Sequence, residues 1–214
     1  MEYMIKLQIR ITCYAVILII TLAASGLFAQ QPGDFSEEEK AFVLDGDVDE
    51  PMRLWLITNY EDSLLLRSQA RPVLVDPNDT VLQHFVKRLH RTVTDSASMG
   101  VGIAAPQVGV LRQIIWVQRF DKEGFPWEVL LNPRIVQYTN KKQPCREGCL
   151  SIPDIMDTTQ TRAYAVLLEY DRLDGTHVIE MVEDFTAVIF QHEIDHLNGI
   201  IFLDHLGYHR SAKE

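Results

Sequence analysis

Two histidines four residues apart, with a glutamate beside the first, constrain this chain more than any other feature: His192-Glu193-Ile194-Asp195-His196. At about 100° per residue, positions i and i+4 of a helix lie nearly above one another. Val188, Ile189 and Ile194 surround the pentapeptide, so the helix is apolar enough to be buried. The pattern predicts a helix over 183–198 that stops at Gly199. Buried imidazoles need partners, and a metal ion held by both would supply them. Glu193 lies close enough to work on a water at such an ion without being a ligand. The competing reading is a surface helix with incidental histidines.

A catalytic metal site needs a third protein ligand and an open position. A metzincin would place a histidine six residues past His196, where Phe202 stands, and a thermolysin-like protease would need a second helix bearing a glutamate. His205 and His209 follow Gly199 at spacings without obvious geometry and read as exposed tail residues. The third ligand is therefore expected upstream. Cys149, in Glu147-Gly148-Cys149-Leu150-Ser151, is the best candidate, because thiolate is a strong ligand for iron or zinc. Taken alone, Cys149 also reads as a small buried residue.

The rest of the body predicts a helix over 80–93, capped by Asn78 or Asp79, with Leu82, Phe85, Val86, Leu89 and Val93 on one face. Residues 99–109 read as a Gly-rich loop. Strands are expected at 112–117, 129–131, 135–136, 163–170 and 177–182, the last two joined by a turn at Asp174-Gly175. Short strands before a single C-terminal helix indicate an α+β fold rather than repeated βαβ units.

The 214 residues carry a net charge of −10, which argues against nucleic acid as a partner. Residues 30–51 hold eight acids against Lys40 and read as a solvated linker, with the folded domain beginning near Met52 and ending near 206, followed by a tail over 207–214. Before them, Lys6 and Arg10 precede an uncharged stretch over 11–29 that reads as a signal peptide or, uncleaved, a membrane anchor. The flanking charges would leave the body outside the cytoplasm; a true start at Met52 would leave it inside. Three cysteines, Cys13, Cys145 and Cys149, do not make a disulfide scaffold, although Cys145 and Cys149 could pair in an oxidising compartment.

Three segments together resemble the peptide deformylase family: Gly100-Val101-Gly102-Ile103-Ala104-Ala105-Pro106-Gln107, then Glu147 to Ser151, then Gln191 to Gly199. The resemblance covers about residues 52–206. It implies a compact α+β fold of short antiparallel strands around the C-terminal metal-binding helix, and hydrolysis of the formyl group from N-formylmethionyl peptides with release of formate. It also implies that Cys149, His192 and His196 hold the ion, usually Fe(2+), with Zn(2+), Ni(2+) or Co(2+) as substitutes. Glu193 would move protons, and the Gln107 amide and Leu150 backbone N–H would stabilise the oxyanion. Gly102 would lie against the substrate backbone. Val101, Cys145, Phe185, Val188 and Ile189 are candidates for the methionine pocket or for plain core. Glu147 would serve the pocket rim or pair with Arg162.

The chain departs from the family pattern at Asp154 to Asp157, at His205, where arginine is common, and in its N-terminal extension. An exported body would meet no ribosome, which is a partner only for a cytosolic one. Two other functions compete: a zinc endopeptidase, and an inactive homologue that binds formyl peptides.

Overall fold

The computed structural model describes residues 33–98 and 100–207. The stretch read as a signal or anchor lies outside them, as does the tail from 208. Among the described residues no helix is long and apolar enough to cross a membrane.

The elements run α1 (Glu37–Leu44), α2 (Tyr60–Leu66), α3 (Thr80–Val93), β1 (Gly102–Ala104), a 3-10 turn (Ala105–Val108), β2 (Ile114–Gln118), β3 (Trp127–Tyr138), β4 (Lys142–Cys149), β5 (Ile152–Ala163), β6 (Ala165–Asp171), β7 (His177–Glu183), α4 (Asp184–Leu197) and α5 (Phe202–His205). Five strands form an antiparallel sheet in the order β1-β2-β3-β6-β7, and β4 and β5 form a separate hairpin. This is the expected α+β arrangement, with α4 packed on β1 and β2.

α3 forms where its pattern predicts. The Asp79 carboxylate accepts from the backbone N–H of Val81 and Leu82, satisfying donors that a helix start leaves free. Its apolar stripe, Leu82, Phe85, Val86, Leu89 and Val93, is buried. α4 ends where expected: Gly199 has φ +70, and a Cβ there would lie 2.4 Å from the Arg67 carbonyl oxygen. Only glycine fits such a position.

Four expectations need correction. Residues 33–51 are not simply a solvated linker: Ser36 and Glu39 form a capping box that starts α1, and Phe35 and Val43 are buried. The acids made the segment look soluble, but Glu39 turns inward to accept from Arg112 Nε at 3.0 Å and Nη2 at 2.6 Å. The Gly-rich stretch holds β1 and the 3-10 turn rather than loop alone. β4 and β5 were not foreseen as strands, because residues 153–158 are exposed and show no alternating burial. β3 runs through Asn132-Pro133, where Asn132 (φ 51) shifts the register and its side-chain amide pairs with the backbone of Val73.

Candidate active site

α4 places His192 and His196 one turn apart, with ring centroids separated by 5.1 Å. The hairpin brings in the third group, since Cys149 ends β4 and the turn through Leu150 and Ser151 follows it. The turn is fastened to the body, because the Ser151 carbonyl accepts from the Ile57 N–H. One donor atom from each of Cys149, His192 and His196 lies within 4.8 Å of the others, and Cys149 Sγ is 3.2 Å from His196 Nε2. One thiolate and two imidazoles form a donor set suited to iron or zinc, and three protein donors leave a coordination position open.

His192 is oriented from behind. Its Nδ1 lies 2.9 Å from Glu147 Oε2, which turns Nε2 toward the thiol. Glu147 in turn accepts from Arg162 Nε and Nη2 at 2.9 and 2.8 Å, and from the Thr159 hydroxyl. Of the two roles expected for Glu147, the pairing with Arg162 is present, and its buried carboxylate has both oxygens occupied. Burial alone would raise its pKa, but hydrogen bonds from His192 and Arg162 hold it at about 2. Such a partner fixes the tautomer and raises the basicity of a metal-binding imidazole.

Glu193 is buried, and burial pushes its carboxyl up to about 7. Among the described residues nothing hydrogen-bonds to its Oε2. Gly102 leaves it room, since a Cβ there would lie 2.5 Å from Glu193 Oε1. The glycine expected to face a substrate therefore also faces this carboxyl.

Gln107 is buried in the 3-10 turn. Its Oε1 accepts from the Ala104 N–H at 2.9 Å, which aims its amide nitrogen at Cys149 Sγ (3.5 Å) and Ser151 Oγ (3.3 Å). A donor is thus fixed beside the sulfur. Leu150 is the next residue after Cys149 and packs its side chain against the cluster that contains α3.

The pocket candidates separate. Ile189 belongs to the core with Phe190 and Ile194, Val101 packs against that cluster, and Val188 is buried. Phe185 is exposed, its ring centroid 5.4 Å from that of Phe120. Cys145 and Cys149 are free thiols four residues apart on one strand. That spacing is about 13 Å at 3.3 Å per residue, too far for a disulfide.

Sequence reasoning missed Thr159 and gave His205 no role. His205 is not simply an exposed tail residue: its ring meets Asp195, Thr161 and Arg162. No local periodicity marks any of these residues.

An antiparallel α+β fold, a Cys-His-His donor set and a buried glutamate beside it define a metal-dependent hydrolase. The polypeptide deformylase family matches residues 55–211. A peptide deformylase of Desulforudis audaxviator is 40% identical over 156 residues, covering 72% of this chain and 94% of that protein. Peptide deformylase 2 of Bacillus subtilis is 33% identical over 161 residues, covering 70% and 88%. Among solved structures, the class I type b peptide deformylase of Acinetobacter baumannii with Met-Ala-Ser bound has a TM-score of 0.65 at 32% identity, covering 73% of this chain and 99% of that one. The Thermotoga maritima peptide deformylase has a TM-score of 0.63 at 30% identity, covering 72% and 97%. This chain belongs to the polypeptide deformylase family, hydrolases that remove the N-formyl group from peptides.

Proposed function

We propose that Cys149, His192 and His196 hold ferrous iron, that Glu193, Gln107 and Leu150 carry out formamide hydrolysis on N-formylmethionyl peptides, and that residues 1–29 direct the body out of the cytoplasm. The observation that carries the catalytic reading is the meeting of one thiol, two imidazoles and the Gln107 amide beside a buried carboxyl. Zn(2+), Ni(2+) or Co(2+) would fit the same donors. An ion held there would supply Lewis acidity and would lower the pKa of water toward neutral. Glu193 takes a proton from the attacking water and returns one to the peptide amine as the C–N bond breaks, releasing formate. The Gln107 amide and the Leu150 N–H donate to the oxygen that gains negative charge. Gly102 leaves a path for the peptide backbone, with Val101 and Val188 near the methionine side chain. The Acinetobacter baumannii relative, whose structure holds Met-Ala-Ser, supports a peptide with N-terminal methionine as the ligand class.

Formate release from formyl-Met-Ala under anaerobic ferrous conditions tests this reading. The protein is expected to turn over the formyl peptide and to leave an internal, unblocked peptide intact, while Cys149→Ser loses both metal and activity. Cleavage of the unblocked peptide would make it an endopeptidase, and metal binding without formate would make it a binding homologue. Gln107→Ala is expected to lower kcat by ~10²–10³, the cost of one oxyanion donor, with metal content unchanged. An equal loss of bound metal would show that the amide serves the thiolate instead.

For residues 1–29 the support is chemical: basic residues, then an uncharged run, then acids. Fractionation is expected to find the activity outside the cytoplasm or tethered to the membrane. Full activity in the cytosol on a chain starting at Met52 would refute export and make the ribosome the natural partner.

A further inference from the structure

Arg162 is the hub of a chain of side chains that leads away from the site. Its Nε and Nη2 hold Glu147, and its Nη1 holds Asp195 Oδ2 on the other side. The guanidinium is 2% exposed, so the two carboxylates determine where it sits. Glu147 is enclosed, but Asp195 is 16% exposed and on that ground alone could turn to solvent. His205, from α5, prevents this: its Nε2 lies 2.9 Å from the same Asp195 oxygen. Its Nδ1 lies 2.9 Å from Thr161 Oγ1. A ring protonated at Nε2 donates to Asp195 and accepts from the threonine hydroxyl. α5 is itself fastened, since Asp204 accepts from Arg67 Nη2 at 3.0 Å and from the Ile201 N–H at 3.0 Å.

We propose that His205 is a positioning residue for the metal site, acting through Asp195, Arg162 and Glu147 to set the His192 ring. The chain of contacts is continuous: His205 to Asp195, Asp195 to Arg162, Arg162 to Glu147, and Glu147 to His192 Nδ1. Among the described residues no side chain partners the buried His196 Nδ1. The support behind His192 therefore runs outward through side chains to His205, which Thr161 meets on its other side. The role needs a hydrogen-bond donor to Asp195, which an amide of similar reach also supplies.

This inference rests on His192 being a ligand, and its test separates the two claims. Co(2+) is loaded into the full chain, and the rate at which a chelator strips it is read from the decay of the thiolate–cobalt absorption band. Cys149→Ser must abolish that band; a protein whose band survives in Cys149→Ser refutes the metal site itself. With the band established, His205→Leu is expected to release cobalt several-fold faster, toward the lower end of the ~10–100-fold typical of groups that orient a ligand. His205→Gln, which keeps a donor, is expected to stay within ~2-fold of the parent, and in a Glu147→Gln background His205→Leu is expected to add nothing. Thr161→Val, at an exposed site, is expected to accelerate release less than His205→Leu and serves alone if that variant does not fold. Unchanged release in His205→Leu and Thr161→Val, equal loss in Leu and Gln, or full additivity with Glu147→Gln would each overturn the proposal.

Discussion

Glu193→Gln is expected to lower kcat for formate release by ~10²–10⁴, toward the upper end, because in the proposed mechanism the same carboxyl serves both proton transfers. The substitution keeps shape and volume, and none of the three metal donors is touched. Glutamine cannot take a proton from water or hand one to an amine. Bound metal is therefore expected to match the parent while turnover is lost. Stability should move the other way. Glu193 is buried, its Oε2 unpartnered among the described residues, and its carboxyl pushed up to about 7, largely by burial. A group whose folded pKa lies above its unfolded value costs stability as pH rises past the unfolded value, and that cost is complete above the folded one. The metal-free glutamine variant should thus melt at or above the metal-free parent at pH 8, by calorimetry. A variant that loses activity only because it loses metal or unfolds would contradict this role. Gly102→Ala approaches the same group from outside: its Cβ would sit 2.5 Å from Glu193 Oε1 and displace it. A misplacement near 1 Å costs on the order of 10² in rate, so this variant should also bind metal and turn over slowly.

The site divides into parts that one local stretch of sequence displays and parts that it does not. His192, Glu193 and His196 were legible because helical spacing is a local property, and the flanking apolar residues showed that the helix is buried. α3, β6 and β7 followed from the same kind of period. Cys149 could be reached only by elimination, since a strand end near a glycine carries no sign of which helix it will meet. The roles of Gln107 and Leu150 came from resemblance alone. In the fold, the Ala104 N–H takes the Gln107 oxygen and leaves its nitrogen facing the Cys149 sulfur. Glu147, Arg162 and His205 were ambiguous or overlooked because their partners lie 10 to 45 residues away. The β4–β5 hairpin escaped notice because neither of its faces is buried along most of β5, which removes the period-2 signal.

Removing residues 33–51 is expected to destabilise the body by about 3–5 kcal/mol, the scale of losing one large buried aromatic. Composition marks this stretch as soluble, but two of its side chains decide otherwise. Phe35 sits edge-on against Phe85 of α3 with centroids 6.0 Å apart, and Val43 is fully buried. The body supplies arginines that recognise the arm's backbone: Arg88 Nη1 donates to the carbonyls of Val43 and Asp45 at 2.9 Å each, and Arg112 Nη1 to that of Gly33 at 2.9 Å. Arg112 also carries the Glu39 pair, and its side chain is 4% exposed. Breaking a buried pair from one side leaves an uncompensated charge, which makes Glu39→Gln a second, smaller test of the same contact. Ordering 19 residues opposes all of this, so the net effect is far below the sum of the contacts. For a domain of this size the loss corresponds to roughly 6–20 °C in Tm. Calorimetry on chains beginning at Gly33 and at Met52, each loaded with the same metal, measures it. Melting temperatures within ~2 °C of each other would show that the arm merely rests on the surface. The expected drop would make the acidic segment part of the folding unit, and a chain starting at Met52 would then lack groups that Arg88 and Arg112 are placed to bind.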